Sequence, residues 1–330
     1  MRQGMLPQPS RDHSTGSLDL SAQWVAAMRA GDWDAAWRIN DRVLAARDVA
    51  TRDDPTLPYH LRWVWDGTPP AGRSTLVRCY HGLGDTLLFA RYLPLLREQG
   101  AARVTVEAQP ELAPVLRTLP GVDEVVPFQL AAPLPPAPCT LEIMEIAHVL
   151  RVPPPAPPYL AAPGAPPEMP PLRVGLCWQA GQWDPARSLP LALLAPLARL
   201  PGVALVSLQR GPAAEAALAP DAPPFLNPRD RSLDMLATAT LIAGLHLVVT
   251  VDTMVAHLAG ALGRPAWVLL QRDPDWRWPH GPDASPWYPT LRLARQHEEG
   301  DWTGPVLTVT EAVAERAAGL ARLQQGCLGL

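Results

Sequence analysis

Between Leu241 and Leu270 the chain reads without interruption as the end of a helix, a strand, a sharp turn, a helix and a second strand. Gly244 stops the first helix, and Leu247 to Val251 form the short β-branched run of a strand buried on both faces. Asp252 and Thr253 fall at the mouth of the next helix, where side-chain oxygens cap orphan N–H groups. The same alternation recurs upstream. Thr75 to Tyr80 reads as a strand, His81 to Asp85 as a glycine-rich turn and Thr86 to about Gln99 as an amphipathic helix, followed by ARVTVEAQ (strand), PELAPVLRTLP (helix) and VDEVVPF (strand). TLEIMEIAHVL carries a helix-like pattern. From Leu172 a second series runs LRVGLCWQAG, SLPLALLAPLARLPG, VALVSLQRG and SLDMLATATLIAG into the focal stretch; LRLARQ and Val306 to Leu323 supply a late strand and a closing helix. Alternation of this kind implies parallel sheets with right-handed crossovers.

Residues 1–16 mix Gln, Pro, Ser and Arg with little periodicity and read as a flexible leader. Residues 17–57 read as a helical hairpin: Trp24, Ala27 and Met28 share a face, Gly31-Asp32 breaks the helix, and Trp33, Ala36, Trp37, Val43 and Leu44 line the second. The pair resembles one tetratricopeptide unit. A single unit cannot bury its own face, so it is expected to pack on the next domain rather than stand as a binding array. Residues 58–160 and 172–305 hold the two alternating series, joined by the stiff, proline-rich 161–171, and 306–330 hold the closing helix and tail. The predicted fold class is α/β: two Rossmann-like domains facing a crevice, with a short N-terminal helical hairpin.

With 330 residues the chain can build two domains of ordinary size, each with its own core. A net charge of -4 leaves no basic excess to neutralise a phosphate backbone, which argues against a dedicated nucleic-acid binder. The 28 Lys and Arg positions are all arginine, so any phosphate clamp has to be a guanidinium. Cys79, Cys139, Cys177 and Cys327 lack C-x-x-C spacing, so neither a disulfide framework nor a zinc site is indicated, and a cytoplasmic location is expected. No apolar run reaches membrane-spanning length, and no His, Cys and carboxylate set has metal spacing; neither metal nor cofactor is expected.

Two junctions carry chemistry. At the carboxyl end of a parallel strand, the turn at Asp252 and Thr253 is where α/β proteins bind phosphates, with His257 one helical turn on facing the same crevice. At the other, Gly82 and Gly84 let backbone approach a ligand or adopt positive φ, and Asp85 stands at the helix entrance, where aspartate is a common cap. The loop after Leu270 holds Trp276, Trp278 and Trp287, three of the twelve tryptophans, plus Tyr288: a platform for a base or sugar, or packing between the halves.

HGLGDTLLFARYLPLL, SLQRG, VDTMVAHLAGALGRP and DWRW with SPWYP together resemble the heptosyltransferase-type glycosyltransferases of family nine, especially the bacterial version fused to tetratricopeptide repeats, over about Pro58 to Leu307. The resemblance implies the GT-B architecture and hexosyl or heptosyl transfer from a nucleotide-diphosphate sugar, without a catalytic metal. The donor would be held mainly by the C-terminal half, and a glycan, lipid-linked or protein acceptor met by the N-terminal half. It implies Asp85 as general base and donor contacts at Arg187, Asp252, Thr253 and His257; the residues around these positions add His81 in the catalytic turn and Gly82, Gly84, Arg210, Met254 and Val255 as donor-binding candidates. His81 stands where relatives commonly carry Gln or a small residue, and Met254 where they carry Gly or Ala.

The residues fit that chemistry independently. Transfer needs a base for the acceptor hydroxyl and a positive environment for the departing diphosphate, which a helix N-terminus and arginines supply. The competing reading is a catalytically silent GT-B module that binds a nucleotide-sugar or a partner protein. A dehydrogenase is disfavoured, because HGLGDTL lacks the third glycine of G-x-G-x-x-G.

Overall fold

The computed structural model describes residues 15–129, 132–166, 170–181, 184–227, 234–281 and 283–328. Most of the expected leader therefore lies outside the described residues. The chain forms two compact units: Met1–Ala156 with Asp275–His280, and Pro157–Pro274 with Gly281–Leu330. No feature of the sequence announces the return of Asp275–His280 to the first unit.

The first unit opens with the helical hairpin, α1 (Thr15–Ala30) and α2 (Trp33–Ala45). Gly31, at φ 68°, makes the reversal, and the Asp32 carboxylate caps α2 by accepting the Ala35 N–H at 2.9 Å. Ala27, Met28, Ala36, Trp37 and Ile39 are buried, whereas Val43 is exposed. A four-stranded parallel sheet follows, in the order β3-β2-β1-β4: β1 (Ser74–Arg78), β2 (Arg103–Ala108), β3 (Glu124–Pro127) and β4 (Cys139–Glu142). Its helices are α3 (Leu83–Phe89), α4 (Leu93–Glu98), α5 (Ala113–Leu116) and α6 (Ile146–Leu150). β4 departs from the helix-like pattern read there. Cys139 to Glu142 pair with Thr75 to Arg78, and the helix is confined to Ile146–Leu150. The open edge of β1 offers more backbone hydrogen bonds than one isolated helical turn, and all four residues of β4 are buried.

The second unit holds a five-stranded parallel sheet in the order β6-β5-β7-β8-β9: β5 (Leu172–Cys177), β6 (Val203–Ser207), β7 (Leu247–Val251), β8 (Ala266–Leu270) and β9 (Leu291–Arg295). It is flanked by α7 (Ala195–Ala198), α8 (Met235–Ala243), α9 (Met254–Ala261) and α10 (Thr303–Leu328). Every residue of β7 is buried, as its β-branched run requires of a central strand. Val174, Leu176, Val249, Val251 and Leu269 form its core with Val309 and Val313 of α10.

Each sheet reverses its winding once. In the first unit β2 and β3 build outward on one side of β1 and β4 lies on the other; in the second, β6 lies on one side of β5 and β7 to β9 on the other. Loops leaving the carboxyl ends of the two strands at a reversal diverge and open a crevice there, the usual ligand position in α/β sheets. Both candidate junctions fall at these points.

Candidate functional site

In the first unit the reversal lies between β1 and β4, and His81 spans it. Its Nδ1 lies 3.0 Å from Glu142 Oε1 at the end of β4, and its carbonyl accepts from Gln109 Nε2 at 2.6 Å. The Glu142 carboxylate also accepts the N–H of Tyr80 at 3.3 Å and of Met144 at 2.7 Å. Burial works against a charged ring here, but Glu142 in contact and Asp85 nearby outweigh it and hold the His81 pKa up at about 9. His81 is therefore an imidazolium at neutral pH, a fixed cation rather than a base.

Helix α3 starts at Leu83, earlier than its apolar pattern indicates, with Gly82 as its N-cap and Asp85 three residues on. The Gly82 N–H donates to Asp85 Oδ2 at 3.0 Å. Gly82 sits at φ -70°, an ordinary backbone angle, and Gly84 lies inside the helix, so neither supplies positive φ. What Gly82 supplies is room: a Cβ there would stand 3.2 Å from Asp85 Oδ2. The other oxygen of Asp85, Oδ1, is ion-paired with Arg277. Arg277 also holds Asp275 at 2.6 Å, and its guanidinium lies 4.2 Å from the centre of the Trp276 ring.

In the second unit the reversal lies between β5 and β7. Thr253 caps α9: its Oγ1 accepts the Val255 N–H at 3.2 Å and lies 3.1 Å from Thr250 Oγ1. Cys177 Sγ, at the end of β5, approaches the same hydroxyl at 3.8 Å. Arg187 is buried and donates from Nη1 to the Asp252 carbonyl at 3.0 Å, with the Asp252 carboxylate 3.5 Å away. Its Nε lies 3.7 Å from Asp184, which also accepts from Gln271 at 3.3 Å. Arg187 thus offsets part of the Asp252 charge, shared with Asp184, and softens the repulsion an anion at the α9 N-terminus meets. Met254 is half-buried at the first helical position.

His257 is buried, with Nδ1 3.1 Å from the Tyr288 hydroxyl, which lies 3.3 Å from that of Tyr159. Gly260 permits this arrangement, since a Cβ there would fall 2.3 Å from Tyr288 Cδ1. Arg210 contributes its carbonyl, accepting from Gln209 Nε2 at 3.3 Å. Gln209 organises the neighbouring loop: its Oε1 accepts the N–H groups of Trp178 and Gln179 at 3.0 and 2.9 Å. Beside that loop lies a pocket of about 230 Å³, walled by Trp178, Leu189 and Pro212.

The structure thus gathers His81, Gly82, Gly84 and Asp85 in one unit, and Arg187, Asp252, Thr253, Met254, Val255 and His257 in the other. Sequence reasoning missed Glu142, Gln209 and Arg277. Arg277 stood in the tryptophan-rich loop already noted, but nothing local ties it to Asp85. Among the described residues no group of His, Cys, Asp and Glu could hold a metal ion, and no helix is long and apolar enough to cross a membrane.

No family model matches the chain. Protein FlbA of Caulobacter vibrioides is 28% identical over 295 residues, 77% of this chain and 48% of FlbA, so the chain spans about half the length of that curated relative. Among solved structures, a family 9 glycosyl transferase from Veillonella parvula superposes with a TM-score of 0.55 at 15% identity, over 77% of this chain and 98% of the other. The E. coli ADP-heptose LPS heptosyltransferase II gives 0.50 at 17%, over 76% and 99%. The iron-containing dodecameric glycosyltransferase TibC of enterotoxigenic E. coli gives 0.51 at 14%, over 79% and 78%. At these identities the likeness is one of fold: two parallel-sheet α/β domains of the GT-B kind, here with a helical N-terminal segment.

Proposed function

We propose that the chain is a glycosyltransferase that moves a sugar from a nucleotide-diphosphate donor to an acceptor hydroxyl without a catalytic metal. The observation that carries this is the α9 N-terminus at the β5/β7 reversal, with the Arg187 guanidinium held against the Asp252 turn. Backbone N–H groups of Thr253, Met254 and Val255 and the helix dipole stabilise the departing diphosphate, which competes with the Thr253 hydroxyl for the Val255 N–H. His257 acts from behind this turn, its ring oriented by Tyr288.

In the first unit Asp85 takes the acceptor proton, with the His81 imidazolium beside it fixing the local charge. For Asp85 to act, the acceptor hydroxyl has to displace or share Arg277. That ion pair is also the observation favouring the second reading, a silent GT-B module in which Asp85 only caps Gly82 and anchors Arg277.

Asp85→Asn separates the two. A panel of ADP-, UDP- and GDP-sugars is first screened by thermal shift, and transfer and donor hydrolysis are then measured with those that bind. The proposal expects the variant to fold, to bind donor as the parent does and to lose transfer. Transfer retained within about tenfold, roughly 1.4 kcal/mol of barrier, removes Asp85 as the base; a parent that binds donor but never turns it over establishes the silent module.

A further inference from the structure

The N-terminal helical hairpin reaches the candidate base through two separate lines of contact within the first unit. On one, the Trp24 ring of α1 stands edge-on to Trp276, with centroids 5.0 Å apart and planes at 73°. Trp276 is buried and supports the Arg277 guanidinium, which Asp275 holds from a second side at 2.6 Å and which ion-pairs Asp85. On the other, Arg47, just past α2, pairs with Glu145 at 2.9 Å, and Glu145 Oε2 accepts the Glu142 N–H at 3.0 Å. Glu142 in turn holds His81. Asp41 of α2 adds contacts to His148, at 2.9 Å, and to Arg151.

A guanidinium on a flexible stem is precise only when its rotamers are locked by what surrounds it. Here Asp275 and the Trp276 ring both hold Arg277, and Trp24 packs edge-on against Trp276. The hairpin has other contacts as well, Asp41 to His148 and Arg151 and Arg47 to the Trp65 carbonyl, but these two lines lead to His81 and Asp85.

We propose that the hairpin is part of the catalytic apparatus, with Trp24 and Arg47 as positioning residues that set the Asp85 carboxylate and the His81 ring; this rests on the reading of Asp85 as the base. Trp24 acts through Trp276 and Arg277, and Arg47 through Glu145 and Glu142. Neither touches a substrate. The hairpin thereby makes the reactivity of Asp85 depend on the seating of α1 and α2.

The test uses the full chain with Trp24→Ala, Trp24→Phe, Arg277→Ala and the Trp24→Ala/Arg277→Ala double variant. Each is checked for folding by near-UV circular dichroism, and Trp24→Leu replaces the alanine variant if that fails to fold. The first readout does not depend on turnover: the ¹³C carboxyl resonance of Asp85, assigned by its loss in Asp85→Asn. The second is kcat and KM for whichever nucleotide-sugar the parent uses. Trp24→Ala is expected to move the Asp85 resonance and change kcat about fivefold, in the direction that Arg277→Ala does and on the scale of one aromatic contact, with donor KM within about twofold. Trp24→Phe restores both, and the double variant matches Arg277→Ala alone. An Asp85 resonance and kcat unchanged in folded Trp24→Ala, or effects that add in the double variant, overturn the proposal. If the parent transfers no sugar, the glycosyltransferase reading falls, and the resonance alone decides whether Trp24 positions Asp85.

Discussion

Raising the pH through the titration of His81 should loosen the first unit by a predictable amount. Its ring is almost wholly buried against Glu142, and its pKa is held at about 9 against an ordinary value of 6.5. A group whose folded pKa is raised adds stability that is complete below its unfolded pKa and vanishes as pH climbs through the folded one. A shift of this size amounts to about 3 kcal/mol, of which roughly 2 kcal/mol is lost between pH 7 and pH 8.5. His60 and His148 are shifted the other way by burial, so their influence falls below pH 6.5; the Cys79 and Cys139 thiols, held up by burial, add a smaller loss toward pH 8.5 that His81→Gln shares. The assay is urea unfolding at fixed ionic strength, read by hydrogen exchange in β1 and β2 so that only the first unit is followed. His81→Gln, which keeps a donor to Glu142 without the charge, should flatten the dependence. A wild-type protein that loses no more stability than His81→Gln between these pH values refutes the buried imidazolium.

Two further outcomes are expected. Arg187→Ala should weaken nucleoside diphosphate about tenfold or more while leaving nucleoside affinity within about twofold, measured by calorimetry; equal losses for both would mean the residue merely supports the turn. Gly260→Ala should cost about 1–3 kcal/mol of second-unit stability in urea, because the new methyl displaces the fully buried Tyr288 ring and with it the partner of His257; an unchanged midpoint would show that α9 and Tyr288 are not packed as described.

The parts of this protein that were legible in its sequence are those where local rules and tertiary packing agree. β7 and α9 are announced by the largely β-branched Leu247–Val251 and a threonine at the cap, and the structure keeps both. The β4 segment was not legible, because TLEIMEIAHVL fits a helix until the free edge of β1 claims its first residues. The start of α3 was misplaced for a related reason: Gly82 carries no side chain to mark a cap, and Asp85 caps backward from the third helical position. Of the two uses the sequence offers for glycine in that turn, close approach to a ligand or positive φ, the structure has no positive φ there, and Gly82 leaves room beside the carboxylate. The charged partners were invisible. Glu142, Gln209 and Arg277 reach their targets across crossovers, and no periodicity records which distant arginine a carboxylate will meet.

The return of Asp275–His280 to the first unit also bears on how the chain is made. Arg277 lies 192 residues beyond the aspartate it holds. At about 5–20 residues per second, a ribosome delivers it roughly 10–40 s after Asp85 has emerged. Through that interval the β1–β4 sheet can pair and the helical hairpin can dock, but Asp85 lacks its arginine partner and Trp24 lacks the Trp276 ring. The amino-terminal unit is therefore completed only after most of the carboxyl-terminal sheet has been synthesised. A nascent chain arrested anywhere before residue 275 leaves that turn open to solvent and to chaperones.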